Sequence, residues 1–406
     1  MTKRPGKDIP KPSLLLLAFM MGLGPFADTE YTPSMPAIAS AMQVDYAMVQ
    51  FTMASYLIGM SISQLFYGPL ADRFGRRPVM LIGAGIMVVS AFLCLVSFSI
   101  WPLIAGRAVQ GVGACAGGVV ANAAVRDAYP ANQRERVYAE LNAAFALAPA
   151  LGPVIGSVVQ HTLGWHANFA ILLALSILLL GLVWRYLPET KPDRNHRALE
   201  PARLWRNYKR PLASRDFMFH TVLGGLCIGV VYTALIGAPD LVINVLGMGT
   251  LAVVIVAAAV LVGFVAGAGA CALVSNRVPD LWIIAAGLLI LLAASGALMG
   301  VAVVVGEQGS LATYLTPIAL SFTGVGLIVP VSTTNAMDRF ARTAGAASSL
   351  LGFVRMGIAA LGTIAMSLLH EGTVFDMPIV FLALTGTAIL LFVIYGATRG
   401  ITTISR

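Results

Sequence analysis

Charge is scarce in this 406-residue chain. Aspartate, glutamate, lysine and arginine together make up 11% of it, against roughly 25% in an ordinary soluble domain. A water-soluble protein of this size covers itself with polar side chains, and they are missing here. Hydrophobic residues make up 58% and the mean hydropathy is +0.85. A soluble enzyme, a disordered chain and a nucleic-acid-binding domain are therefore excluded. Cysteine is rare as well. Cys94, Cys115, Cys227 and Cys271 lie within apolar runs, without disulfide or metal-ligand spacing, and read as small buried hydrophobes. No nucleotide-binding motif occurs, which excludes direct drive by ATP in this chain, and His370-Glu371 lacks the second histidine of a metal-binding helix. The sequence calls for no catalytic residue, no metal and no cofactor.

What is present is a series of continuous apolar runs. Their continuity excludes a membrane β-barrel, whose strands alternate. A spanning helix needs roughly 20 apolar residues, and the runs predict twelve spans, at 13–36, 46–69, 79–98, 101–125, 134–160, 166–187, 214–238, 247–273, 280–303, 312–337, 341–368 and 374–397. The expected fold class is an all-α integral membrane protein of twelve transmembrane helices in two six-helix halves, 1–187 and 214–406, joined by a polar linker at 188–213. Leu204, Trp205 and Tyr208, set among arginines, predict a short helix in that linker lying at the membrane surface.

The net charge of +8 follows from topology rather than from a polyanionic partner. If the N-terminus is cytoplasmic, 24 of the 26 basic residues fall on the cytoplasmic side, in the N-terminal tail (Lys3, Arg4, Lys7, Lys11), after the second and fourth spans, and above all in the linker. The opposite loops carry only acids, Asp45, Asp240, Glu307, Glu371 and Asp376. This is the positive-inside pattern, and it places both termini in the cytoplasm. The basic, then apolar, N-terminus has the outline of a secretory signal, but Asp28 and Glu30 interrupt the run, and a first span that carries function accounts for them better.

Several stretches are more specific. Gly68–Pro78 reads GPLADRFGRRP after the second span. Gly68 lets another helix approach, Asp72 can face the positive N-terminus of the eleventh span, and Arg73, Arg76 and Arg77 can pair with acids and anionic headgroups. Arg107–Ala114 reads RAVQGVGA in the fourth span, and Ala148–Ser157 reads APALGPVIGS in the fifth, with Gly152, Pro153 and Gly156 giving close packing and a bend. The first span ends DTEYTPSMPAI (28–38), the sixth LPET (187–190), and the eleventh opens NAMDRFARTAGAASSLLGF (335–353). Together these resemble the major facilitator superfamily, and within it the twelve-helix drug:proton antiporters of the bicyclomycin- and chloramphenicol-resistance (Bcr/CflA) type.

The resemblance implies a proton-coupled secondary transporter that exports small amphiphilic compounds by alternating access, monomeric, in a bacterial cytoplasmic (inner) membrane. It implies a gating loop of Gly68, Asp72, Arg73, Gly75, Arg76 and Arg77 that clasps the two halves, and an antiporter motif at Gly152, Pro153 and Gly156. Protons, a small-molecule substrate and lipids are the expected partners. Two departures stand out. The group usually has an acid four residues before the proline matching Pro33; here that place is Thr29, flanked by Asp28 and Glu30. It usually has a neutral residue where this chain has Arg355. An anionic or zwitterionic metabolite, such as a siderophore-like compound, exported or carried with protons, is the alternative substrate reading.

A charge at mid-bilayer costs about 2.5–3.5 kcal/mol on insertion scales, so intramembrane charges are expected to face a cavity and one another. Asp28, Glu30 and Arg107 fall at similar depth and are the candidates for proton coupling. Two residues apart on a helix is about 200°, so one acid is expected to pair with Arg107 and the other to face elsewhere. Tyr31, Tyr56, Gln110, Asn142, Tyr232 and Arg355 are the expected cavity lining.

Overall fold

The computed structural model describes residues 10–191 and 193–404, without the side chains of 131, 146, 341, 342 and 399–404. Lys3, Arg4, Lys7, Pro192 and Arg406 of the sequence reading lie outside the described residues. All regular structure described is helical. The first half comprises α1 (Leu14–Thr29), α2 (Met35–Met42), α3 (Tyr46–Phe74), α4 (Arg76–Leu95), α5 (Ile100–Ala128), α6 (Ala131–Leu163) and α7 (Trp165–Tyr186). A short amphipathic helix, α8 (Pro201–Leu212), precedes α9 (Arg215–Pro239), α10 (Ala252–Val274), α11 (Asp280–Val304), α12 (Leu311–Met337), α13 (Ala344–Leu368) and α14 (Asp376–Ile404). Ten of these helices, some with a short continuation, are long and apolar enough to cross a membrane, among the described residues. The remaining two of the twelve span positions are taken by α1 with its continuation and by α3.

The first, seventh and eighth spans depart from expectation. The first was expected to run unbroken to residue 36. Instead α1 stops at Thr29, and a single 3-10 turn, Thr32–Ser34, leads into α2. Pro33 and Pro36 have no N–H to continue the ladder. The side chains of Thr29 and Thr32 bond the carbonyls of Pro25 (3.0 Å) and Thr29 (2.8 Å) instead. The seventh runs past 238 through a π-helical segment, Asp240–Val245, in which the Leu246 N–H reaches back to Leu241 O at 2.9 Å. The eighth starts correspondingly late, at Ala252 rather than 247.

Within the first half, α3 packs on α5 and α1 on α6; in the second, α12 packs between α10 and α11. Between the halves, α3 lies along α13 and α6 along α10. The α1–α6 contact is backbone on backbone. A methyl at Gly152 would strike the Thr29 side chain, and one at Gly156 the Glu30 carbonyl. The expected antiporter stretch thus lies directly against the turn of chain that carries both membrane acids.

Candidate functional site

The loop 68–78 gathers charges at one end of the bundle, called here the basic end. Arg76 is buried and pairs with Asp72 and with Asp127 of α5, each at 2.9 Å. Lys191 reaches Asp72 at 2.7 Å. Glu189, from the LPET stretch, accepts the backbone N–H groups of Arg76 (2.9 Å) and Arg77 (3.3 Å), so a carboxylate caps the positive start of α4. Gly75, at φ +102°, lies against that carboxylate with no room for a side chain. Asp72 was expected to meet the start of the eleventh span. In this structure its partners are Arg76 and Lys191, and Gly68 of the loop faces Ser349 of α13. Glu140 of α6 pairs with Arg136 on its own helix at 2.7 Å.

A cavity of about 630 Å³ begins at this end and runs between the halves. Asp72, Arg126 and Arg203 line its mouth; Pro25, Cys115 and Met356 lie on its walls farther in. Of the expected lining residues, Tyr31, Tyr56, Gln110, Tyr232 and Arg355 are buried off this cavity, and Asn142 is exposed on α6 without lining it. The structure does gather four of these residues around the membrane charges.

Asp28, Glu30 and Arg107 are each 2% exposed or less, so any charge there lacks solvent. The expected Arg107–carboxylate bond is not made. Arg107 donates to Ala27 O (2.9 Å) and to Gln110 of its own helix, and its guanidinium lies over the rings of Tyr31 (4.1 Å) and Tyr56 (4.4 Å). Two aromatic faces thus hold a cation that was expected to need an acid. The ring positions are fixed: the Tyr31 hydroxyl bonds Thr52 at 2.9 Å and Tyr56 donates to Gly24 O at 2.9 Å. Asp28 instead accepts a hydrogen bond from Tyr232 of α9 at 2.7 Å, a link from one half to the other. Its second oxygen and both oxygens of Glu30 have no hydrogen-bond partner among the described residues. Glu30 does not line the cavity, and its backbone lies against Gly152 and Gly156 of α6. Arg355 donates to Thr333 at 2.8 Å and lies over Gly224, and its Nε and Nη2 have no acceptor among the described residues.

The end opposite the basic one is shut. Asp28–Tyr232 crosses the halves, and nearer that surface Tyr46 of α3 donates to Ile236 O of α9 at 2.7 Å. Among the described residues the chain is therefore a two-halved helical bundle with a cavity at the basic end and a closed opposite end, and the second Asp28 oxygen is buried where the halves meet.

The sequence pattern of the Major Facilitator Superfamily matches residues 14–363. The chain belongs to that superfamily. It is 32% identical over 370 residues to the Multidrug resistance protein D of Escherichia coli, covering 88% of this chain and 89% of that one. It is 30% identical over 370 residues to a Chloramphenicol resistance protein of Pseudomonas aeruginosa (89% and 84%), and 29% identical to a Bicyclomycin resistance protein homolog of Haemophilus influenzae (86% and 87%). Among solved structures, a peptide transporter of the POT family superposes with TM-score 0.75 at 13% identity, covering 97% and 96% of the chains. A bacterial homologue of the human lysosomal transporter Spinster superposes with TM-score 0.72 at 16% identity, covering 95% of each. These structures share the superfamily fold. The protein is a multi-pass membrane transporter, and its Bcr/CflA-type relatives cover most of its length.

Several groups at this site carried no functional mark in the sequence. Glu189, Asp127 and Lys191 complete the loop's network, yet only the LPET stretch was distinctive. Thr52 and Tyr46 are ordinary helix residues by pattern. Their signal was positional: each is a polar group on a face that otherwise packs apolar.

Proposed function

We propose that the protein exports small amphiphilic compounds in exchange for protons, by alternating access, across a bacterial inner membrane with both termini and the basic end in the cytoplasm. In that orientation the structure is the inward-facing state. The observation that carries the reading is the Asp28–Tyr232 bond: a buried carboxyl on α1 is itself part of the closure between the halves. A carboxylate accepts hydrogen bonds only, whereas its protonated form also donates one. Gain or loss of a proton at Asp28 therefore changes a contact that exists only when the outer side is shut. Arg107 stands by on two tyrosines, within the same buried cluster, as a counter-charge when α1 shifts. Glu30, packed under Gly152 and Gly156, is the second candidate proton carrier, and movement of α6 would uncover it. The antibiotic-resistance relatives support export of drugs as the direction and substrate class.

In inside-out vesicles, acidification of the lumen should drive uptake of a fluorescent amphiphilic cation, a protonophore should abolish it, and Asp28→Asn should reduce it at least tenfold. Uptake indifferent to the pH gradient would overturn the reading. A second reading, transport of an anionic or zwitterionic metabolite, is favoured by Arg355, a buried guanidinium with two unpartnered nitrogens. Uptake confined to anionic probes would establish it.

A further inference from the structure

On the end opposite the basic one, three titratable side chains remote in sequence converge. His370 lies between α13 and α14, Asp376 opens α14, and Asp240 opens the π segment after α9. His370 Nδ1 is 2.8 Å from Asp376 Oδ2 and 3.7 Å from Asp240 Oδ2, and all three side chains are at least nine-tenths buried. Both acids are held in place from behind. Asp376 accepts the N–H groups of Glu371 (3.1 Å) and Gly372 (3.0 Å) and the hydroxyl of Thr373 (2.7 Å); Asp240 accepts from Asn244 at 2.6 Å.

The fourth member comes from the other half. Tyr46, the first residue of α3, sets its ring 5.3 Å from the imidazole, tilted by 48°, while its hydroxyl bonds α9 at Ile236. Tyr46 thus sits between the end of α9 and the α13–α14 connection, and His370 ties those two elements together over it. The titratable groups around the imidazole are Asp45 and Tyr46 from α3, Asp240 from the π segment, and Glu371 and Asp376 from the α13–α14 region. Every one of them that is charged at neutral pH is an acid. An imidazolium here gains two carboxylates, the field of Asp45 and an aromatic face. A neutral imidazole leaves Asp240 and Asp376 facing each other without a cation between them.

We propose that His370 is a second proton-binding site, a latch on the outer gate: charged, it draws Asp240, Asp376 and Tyr46 together and holds the halves shut at this end, and its deprotonation loosens them. The Asp376 carboxylate 2.8 Å away, with the charges of Asp240 and Asp45, holds the imidazole above its ordinary range against the opposing effect of burial. For a base with a raised value in the closed state, the stabilisation is fully present below the ordinary imidazole value of about 6.5 and is lost as pH rises through the raised one. The latch rests on the alternating-access reading. It works in the same direction as proton loading of α1: a proton from outside favours closure of the outer face.

The test is a distance measurement between spin labels at Ala41→Cys on α2 and Gly249→Cys before α10, both exposed, in the full chain in lipid nanodiscs between about pH 5 and 9. The native cysteines are buried and stay unlabelled. The short-distance population should fall as pH rises, with a midpoint above about 6.5. His370→Gln should be flat with pH and at least twofold more open at pH 5, and His370→Lys, charged throughout, should stay closed at pH 9. The response should persist in Asp28→Asn/Glu30→Gln, which separates it from the α1 acids. Two populations whose ratio ignores His370, or a His370→Lys that titrates like the native protein, would overturn the latch alone. A single distance under every condition would overturn alternating access with it.

Discussion

The two halves each present a loop at the basic end after their second span, and the two loops differ sharply. In the first half, Arg76 is 1% exposed and held by two acids, Glu189 caps α4, and Lys191 adds a further pair. In the second half, the stretch 275–280 reads SNRVPD. Its acid, Asp280, receives a hydrogen bond from neutral Asn335 at 2.9 Å, and the ion pair nearby, Arg339–Asp216, has its arginine 72% exposed. A buried charge with fixed partners is costly to strip of one of them, whereas an exposed pair is worth little. The first half is therefore built as a locked unit at this end and the second is not. With the basic end open, these charges are satisfied within the first half and the start of the linker.

That contrast can be broken by substitution, and thermal unfolding in detergent reads it. Arg76→Ala takes the buried guanidinium from Asp127 and leaves Asp72 with Lys191 alone, and should cost roughly 3 kcal/mol, while Arg339→Ala should cost less than about 1 kcal/mol. Equal losses would abolish the distinction between the halves. Gly75→Ala comes next, at about 1–3 kcal/mol, because φ of +102° is strained for alanine and the Glu189 carboxylate occupies the space. Glu189→Gln should keep the packing but lose the charge on the α4 terminus, for about 1 kcal/mol, an effect that shrinks in high salt. Smallest is Asn335→Ala, which removes one neutral donor from Asp280, at about 0.5–1 kcal/mol. A rank order with Asn335 first would mean that the second loop is the tighter one.

Much of this was legible in the sequence, and the reasons are physical. Apolar runs of spanning length locate helices, and GPLADRFGRRP locates the loop between them. The linker helix was readable because Leu204, Trp205 and Tyr208 recur at helical spacing among arginines; its Tyr208 turns out to donate to Leu65 O of α3 at 2.7 Å. What was not legible depends on where side chains end. Hydropathy does not register the break at Thr29, which comes from threonine hydroxyls competing for helix carbonyls. Charge pairing by depth put an acid on Arg107, because two tyrosine faces 4.1 and 4.4 Å away are invisible to a count of charges. His370 and Asp240 stand 130 positions apart, and only the closure of α9 against the α13–α14 connection brings them together.

In the proposed mechanism a carboxyl on α1 exchanges a proton as substrate moves the other way. Lumenal pH in sealed proteoliposomes, followed while neutral, cationic and anionic amphiphiles are added, tests it with the native protein beside Asp28→Asn and Glu30→Gln. Substrate-triggered proton movement opposite to the substrate, lost in Asp28→Asn, is the expected result. Proton movement unchanged in both variants, or running with the substrate, would contradict it.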